Sequence, residues 1–473
     1  MPVSPQLAVR ETPIPGLLLV DLPVHGDNRG WFKENWQRRA MTALGLPDFG
    51  PVQNNVSFNA TAGTTRGIHA EPWDKFISVV AGRAFGAWVD LREGQGFGRL
   101  FTAELDPATA VFVPRGVGNA FQTLEDNTVY SYLVNEHWSP EAEYTLLNLA
   151  DETVAVPWPL PLDSAGPHRA EVSEKDRGHP RLAGVVPVPP RRTLVLGADG
   201  QLGRALRAVY DGEAAVEFAG RDSFDLASPE AFGSRNWSDY ETVINAAAFT
   251  AVDDAETAEG RRAAWKINAA AVVRLARTAV EHRLALVHVS SDYVFDGGSS
   301  LHDETAPWSP LGVYGQSKAA GEAAVGVVPR HYIVRSSWVV GEGRNFVRTM
   351  ASLAARGMKP SVVNDQTGRL TFAQDLAAGI RHLLDSKAPY GSYNLSNSGP
   401  AQSWAEIAAD VFELCGRPRS DVTGVSSAQY FKDKQAAPRP SNSMLDLGRI
   451  EATGFFPPPA AGRLKEYVSR LAD

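Results

Sequence analysis

The chain has 473 residues, more than one hydrophobic core normally supports, which implies two or three domains. Its 46 basic and 54 acidic side chains leave a formal net charge of -8, which excludes a general electrostatic grip on nucleic acid or anionic lipid. The single cysteine, Cys415, excludes an intrachain disulfide and a cysteine-rich zinc site; no uninterrupted apolar run is long enough to span a bilayer, and the proline-broken opening MPVSPQLAVRETPIPG points to a cytoplasmic protein.

Residues 1–184 carry short alternating runs separated by turn residues, the pattern of an all-β sandwich or barrel with few helices. KFISVV (75–80), the turn Ala81-Gly82-Arg83 and AFGAWVDL (84–91) read as a hairpin, and AVFVPRGVGNAFQTL and TVYSYLV continue the pattern. Within it, Arg66-Gly67-Ile68-His69 precedes a strand, Lys75 opens the next one, and Tyr132 sits inside TVYSYLV. A histidine base, a phenol acid and an ammonium to hold an enolate are what proton abstraction beside a ketone needs. Taken singly, each also reads as a satisfied core or turn histidine, a solvated lysine and a core aromatic. A metal-dependent site is disfavoured, because His69 is followed by Ala70 and Glu71 with no second histidine nearby.

The motifs GDNRGWFKENW (26–36), VQNNVS (52–57), RGIH (66–69), DKFISVVAGRAFGAWVDLR (74–92), VPRGVGNAF (113–121), EHWSPEAE (136–143) and SEKD (173–176) occur in one order, and the stretch from about 10 to 184 resembles the dTDP-4-dehydrorhamnose 3,5-epimerase family, which are metal-free cupins. The resemblance implies a jelly-roll, with His69 as general base, Asp176 as its orienting partner, Tyr132 as general acid and Lys75 beside the enolate. It further implies that Arg66, Gln53 and Asn55 hold the sugar and diphosphate. Arg29, Phe32 and Glu34 would lie on a strand that reaches into a partner subunit's site, which makes a homo-oligomer, a dimer through this domain, the expected assembly. Two positions depart from the family: Asn119 stands where a turn commonly has histidine, and His137 where an aromatic is usual.

The boundary is VVPVPPRR (185–192), whose prolines favour an extended connector without a fold of its own. From Thr193 onward apolar strands alternate with alanine-rich helical stretches, including RRAAWKINAAAVVRLARTAVEH, which implies a parallel, doubly wound sheet with ligand at the carboxyl ends of its strands. The run Thr193–Leu196 leads into Gly197, Gly200 and Gly203, with Gln201 and Leu202 opening a helix whose N-terminus would face a pyrophosphate. Tyr314-Gly-Gln-Ser-Lys318 on a helix, preceded by Ser290-Ser291-Asp292-Tyr293 at a strand end, puts a phenol and an ammonium on one helical face beside a hydroxyl.

GADGQLG, NAAAFTAVDDAE (245–256), SSDYVFDG (290–297), YGQSKAAGE (314–322), RSSWVVGEGRNFVRTM (335–350) and NDQTGRLTFAQDLA (364–377) together resemble the extended short-chain dehydrogenase/reductase family, and within it the dTDP-4-dehydrorhamnose reductases, over nearly all of 193–473. The resemblance implies Ser291, Tyr314 and Lys318 as the catalytic set, with Ser291 in place of the usual threonine. It places Gly197, Gly200, Gly203, Asn245, Ala246 and Ala247 along a nicotinamide cofactor, Trp338 against the sugar, and a small substrate-binding subdomain after the Rossmann-like sheet. Arg221 could meet a 2'-phosphate and Asp222 could prefer a bare ribose, so NADPH and NADH both stay open, as does a Mg2+ ion in this half. Leu370, where proline is frequent, has no reading here.

The two resemblances imply a bifunctional enzyme that epimerises dTDP-4-dehydro-6-deoxy-D-glucose at C3 and C5 and then reduces its C4 ketone to give dTDP-L-rhamnose. A UDP-linked or other 6-deoxyhexose, a cupin half that only binds, and a dinucleotide-binding regulator are the rival readings.

Overall fold

The computed structural model describes residues 6–140, 142–162, 170–432 and 435–472; Glu141 of the EHWSPEAE motif lies outside them. The chain divides into two compact units, Met1–Pro190 and Arg191–Asp473. Among the described residues no helix is long and apolar enough to cross a membrane.

In the first unit the strands run β1 (Ala8–Glu11), β2 (Leu18–Asp21), β3 (His25–Asp27), β4 (Gly30–Phe32), β5 (Gln53–Asn59), β6 (Thr64–Ala70), β7 (Lys75–Ala81), β8 (Ala84–Asp90), β9 (Leu100–Leu105), β10 (Thr109–Val113), β11 (Val117–Thr123), β12 (Thr128–Val134), β13 (Thr145–Leu146) and β14 (Glu171–Val172). Helices α1 (Arg38–Ala43) and α2 (Glu174–Arg177) are short. One sheet has the order β1-β2-β10-β7-β12-β5; the other has β13-β6-β11-β8-β9, with β14 against β6. Alternation along each strand sends one set of side chains inward, so that Ile77, Val79, Trp88, Val111, Phe121 and Tyr130 from both sheets share one core.

Here KFISVV and AFGAWVDL are not a hairpin: β7 belongs to one sheet and β8 to the other, so the Ala81-Gly82-Arg83 turn carries the chain between sheets. Gly82 makes this possible, with φ +79 and a position where a Cβ would fall 2.9 Å from Thr128 Cα. Arg66–His69 lies within β6 rather than before it, and Asn119 lies in β11, opposite His69 in register, rather than in a turn.

β3 and β4 pair only with each other and stand outside both sheets. Of the three residues expected on a strand here, Phe32 ends β4, Arg29 sits in the tight turn and Glu34 follows the strand. The hairpin's base is pinned by Lys33, whose Nζ donates to the carbonyls of Val79 (2.8 Å) and Pro107 (2.9 Å).

The connector expected over 185–192 is not free-standing. Val185 is in a core cluster of the first unit, Val188 exchanges backbone hydrogen bonds with Leu91 and Glu93, and Arg192 already opens the next strand. Proline removes donors only at its own positions, so Val188 could still pair with a sheet edge.

The second unit holds a six-stranded parallel sheet: β15 (Arg192–Leu196), β16 (Val216–Ala219), β17 (Tyr240–Asn245), β18 (Ala285–Ser291), β19 (His331–Ser336) and the strand Gly391–Asn394, in the order β16-β15-β17-β18-β19 and then 391–394. Apolar clusters cover both faces, one with helix Ala271–Glu281, the other with α3 (Gln201–Val209) and helix Ala373–Asp385. A third cluster, including Val347, Met350, Ile407, Val411 and Phe412, forms the core of a smaller subdomain. The single long helix expected for RRAAWKINAAAVVRLARTAVEH is interrupted by a π-helical turn at Lys266–Ala270.

Arg335 on β19 and Glu322 on the helix Val313–Val325 form a two-pronged ion pair (3.1 and 2.8 Å) with side chains 4% and 0% exposed, and Trp308 Nε1 also donates to Glu322 (2.8 Å). Removing one member of such a pair leaves an uncompensated buried charge. Glu322→Ala should lower the stability of the second unit by about 3–5 kcal/mol, read as a fall in its urea midpoint by tryptophan fluorescence.

Candidate active sites

In the first unit one cavity of about 580 Å³ gathers side chains from both sheets and from the segment around α2. Arg66, His69 and Asn119 come from β6 and β11 of one sheet, Lys75 and Tyr132 from β7 and β12 of the other, and Asp176 from α2. A base and an acid thus approach the cavity from facing layers.

His69 Nε2 lies 3.1 Å from Asp176 Oδ1. The carboxylate is held in place because Ser173, the N-cap of α2, accepts the Asp176 N–H (3.1 Å). Burial alone would raise the Asp176 pKa, but the hydrogen bond and charge of His69 outweigh it and hold the group below the ordinary carboxylate range. Lys75, 4% exposed, places Nζ 2.7 Å from Glu71 Oε1, and Glu71 also accepts from Trp73 Nε1. The same ammonium stands 5.8 Å from the centroid of the Tyr132 ring. Burial first and the Glu71 charge second raise the Tyr132 pKa, so the phenol keeps its proton at neutral pH.

Arg66 also lines the cavity, with Nε donating to Asn59 Oδ1 (3.1 Å). Asn55 is paired with Tyr132 across β5 and β12, and Gln53 donates to Asn55 Oδ1 (2.8 Å) while accepting the Trp138 N–H (3.1 Å). Neither of these two lines the cavity, and Arg29, Phe32 and Glu34 on the outlying hairpin do not line it either. Sequence reasoning missed Glu71, Tyr130 and His179. Glu71 stands four residues before Lys75, a spacing that could have paired them; Tyr130 donates to Asn119 Oδ1 (3.2 Å) and stacks on Phe121 (4.0 Å). His179 packs edge-on against His69 with 5.2 Å between ring centroids, and nothing in the sequence joins the two.

In the second unit the residues expected along the cofactor flank the crevice between β15 and β17, where the direction of strand succession reverses. Gly197 has φ +77, and a Cβ there would fall 2.6 Å from Ala247 N, so the two turns close only over glycine. Gly200 is the N-cap of α3 and brings no side-chain cap, leaving the N–H groups of Gln201, Leu202 and Gly203 at the crevice; these features fit a pyrophosphate. The Asn245 side chain is fully buried and engaged, donating 3.0 Å to His288 Nδ1 and accepting the Ala247 N–H at 3.1 Å, so it shapes the Ala246-Ala247 turn from beneath. Gln201 accepts the Gly341 N–H (2.7 Å) and so ties the first turn of α3 to a loop of the subdomain side.

Tyr314 and Lys318 sit one turn apart on the helix Val313–Val325, and Ser291 ends β18. Ser291 Oγ donates to Asp292 Oδ1 (2.8 Å) and accepts the Tyr293 N–H (3.2 Å). Burial pushes the Tyr314 phenol up to about 12, opposed by its hydrogen bond with Ser291. Burial pulls the Lys318 ammonium down to about 8; its Nζ donates to the Val289 carbonyl (2.6 Å) and lies 3.5 Å from His288 Nε2. Burial likewise raises the Asp292 carboxyl to about 6. Trp338 is stacked on Trp404 at 3.8 Å. Asn268, in the π-helical turn, was also missed: its amide exchanges hydrogen bonds with both backbone groups of Phe249 and donates to Ser317 Oγ, bracing the helix that carries Tyr314. Among the described residues no cluster of three His, Cys, Asp or Glu donors close enough together to hold a metal occurs in this unit.

A family model described as RmlD substrate binding domain matches residues 191–472, and one described as dTDP-4-dehydrorhamnose 3,5-epimerase matches residues 11–184. A Streptococcus pyogenes protein named RmlC homolog is 48% identical over 193 residues, covering 39% of this chain and 94% of its own length. A dTDP-4-dehydrorhamnose reductase of Mycobacterium tuberculosis is 38% identical over 295 residues, covering 59% of this chain and 91% of its own. The solved dTDP-4-dehydrorhamnose reductase of Bacillus anthracis, a complex with NADP, matches with a TM-score of 0.52 and 31% identity over 59% of this chain and 99% of its own.

Lys318 binds its proton less tightly folded, at about 8, than at its ordinary 10.5. The cost of its buried charge is therefore borne in full below about pH 8 and fades as the pH rises towards 10.5. Lys318→Met should melt at a higher temperature than the parent chain at pH 7, and calorimetry at successive pH values should find that margin shrinking towards pH 10.

Proposed function

The chain belongs to the RmlD substrate binding domain family, whose match spans more than half of it, and carries an epimerase-family segment ahead of that match; on this premise we propose that the two sites work in succession on one dTDP-sugar, the first inverting C3 and C5 of dTDP-4-dehydro-6-deoxy-D-glucose and the second reducing its C4 ketone to give dTDP-L-rhamnose. The observation that carries the reading is His69 of one sheet, paired with Asp176 of α2, facing a cavity that Lys75 and Tyr132 enter from the other sheet.

Asp176 keeps the imidazole proton on Nε2, so Nδ1 of His69 presents the lone pair that takes the proton beside the ketone. Removal of that proton moves negative charge onto the C4 oxygen, and the buried Lys75 ammonium stabilises it. Tyr132, kept protonated by burial and by Glu71, returns a proton from the facing sheet, which inverts the carbon. Lys75 and Glu71 together bring no net charge into the cavity.

A reduced nicotinamide dinucleotide, when bound in the crevice of the second unit, would supply hydride for the carbonyl carbon. Gly197, Gly200 and the first turn of α3 would hold its pyrophosphate. Tyr314 gives the proton to the carbonyl oxygen, Lys318 favours the phenolate left behind, and Ser291 orients the same oxygen. NADPH is the favoured form: Arg221 follows β16 and is exposed, and the Bacillus anthracis relative was solved with NADP. Trp338, fixed by its stack on Trp404, would present a flat apolar face to the sugar. A reducing, cytoplasmic setting suits the lone, exposed Cys415.

We place Arg29, Phe32 and Glu34 in the cavity of a second copy of the chain. The hairpin that carries them exposes Trp31 (47%) and Phe32 (65%), and β5, an unpaired sheet edge, exposes Val56 (64%) and Phe58 (59%).

Proton NMR of the sugar in deuterated water tests the first site: His69→Ala should slow deuterium entry at C3 and C5 by about 10²- to 10⁴-fold, and a normal rate would remove His69 from the role. With epimerised sugar and NADPH, Tyr314→Phe should slow reduction over a similar range, about 10²- to 10⁴-fold, measured by nicotinamide absorbance. Phe58→Asp should shift sedimentation from dimer to monomer.

A further inference from the structure

We infer that His69, Asp176 and His179 form a binding site for a zinc-like divalent cation, and that filling it disables His69 as a base. Metal binding stands on the geometry alone; the disabling step rests on the function proposed for His69.

His69 Nε2 lies 3.1 Å and His179 Nε2 3.6 Å from the same oxygen, Asp176 Oδ1, and the three donor atoms all fall within 4.8 Å of one another. Zinc binds imidazole nitrogen and carboxylate oxygen at about 2.0–2.2 Å, so donors at tetrahedral corners stand about 3.3 Å apart. The two measured separations bracket that spacing. An ion could therefore be seated with small side-chain movements.

His179 is the feature that singles this cluster out. It is 7% exposed, yet neither ring nitrogen makes a well-formed hydrogen bond. Its Nε2 faces the Asp176 carboxylate at 3.6 Å, longer than an ordinary hydrogen bond, so the ring is aimed at the shared oxygen without being held by it.

The ligands are held independently of the ion. Asp176 is fixed by the Ser173 cap and reaches His179 across one helical turn, while His69 is fixed by β6. His69 is also 32% exposed at its side chain, towards the cavity, which leaves a fourth coordination position open to water or to a sugar oxygen.

The consequence for the base follows from the tautomer. Coordination takes the Nε2 lone pair, so the ring proton now on Nε2 must move through solvent to Nδ1. The ring stays neutral and no proton is gained or lost overall. Nδ1 then carries hydrogen instead of a lone pair, and proton abstraction stops.

Zinc added to the full-length protein, in competition with a chromophoric chelator, tests the site. The parent chain should take up one ion more per chain than His179→Gln, or hold it at least about tenfold more tightly. His179→Cys, which restores a ligand, should recover the lost affinity, an order that a purely structural role for His179 would not produce. Cobalt in place of zinc should give the intense visible absorption of a tetrahedral site in the parent and lose it in His179→Gln. Equal affinity and stoichiometry in parent and His179→Gln would overturn the site. For the second step, one equivalent of zinc should suppress deuterium exchange into the sugar, and a chelator should restore it. Exchange that continues at the full rate with the ion bound would overturn the disabling step. A parent chain that exchanges no deuterium even without zinc would count against the epimerase reading, while the binding measurement would still decide the site.

Discussion

Both sites depend on holding charged groups away from water, and the surrounding structure is arranged to meet that cost. A buried charge survives only with a partner or a shifted pKa. The first site uses a partner: Lys75 lies against Glu71, and Glu71 is itself held by Trp73. The second uses shifts, with Lys318 pulled down to about 8 and Tyr314 pushed up to about 12, each chiefly by burial. Sheet architecture decides which solution is available. Two facing antiparallel layers can bring an acidic and a basic residue into contact within a turn, whereas the end of a parallel sheet exposes one helix face to whatever ligand arrives.

Much of this was legible because local patterns carry local physics. The glycines at 197, 200 and 203 marked a strand, a turn and a helix start; Tyr314 and Lys318 were spaced for one helical face, and each lies where that spacing implies. What failed concerned pairing at a distance. Alternation in 75–91 identified two strands correctly but could not say that they join different sheets, since the same turn serves a hairpin or a crossing. Pro187 and Pro189 suggested a free connector, while Val188 between them found an edge to pair with. His179 was invisible for the same reason. Its relation to His69 exists only once β6 and the segment after α2 have been brought together.

The order of the two chemistries has its own logic. Proton abstraction beside a ketone is reversible, and the ketone that acidifies the neighbouring carbons also lets the inverted product return. Reduction of that ketone abolishes the acidity, so the second reaction closes the route back. A single chain therefore always supplies the two catalysts in equal number, whatever its expression level.

The β3–β4 hairpin has three residues on each strand, no core of its own, and one anchor at its base in Lys33. Ribbons of that size carry almost no stability alone, so their conformation is inherited from the surface they rest on. After dilution from denaturant, the two sheets of the first unit would re-form by a first-order process. On the assembly proposed above, whatever relies on Arg29 and Phe32 would come back later, at a rate set by how often chains meet, and a freshly made chain would pass through a folded but incomplete state whose lifetime depends on how many of its siblings are present.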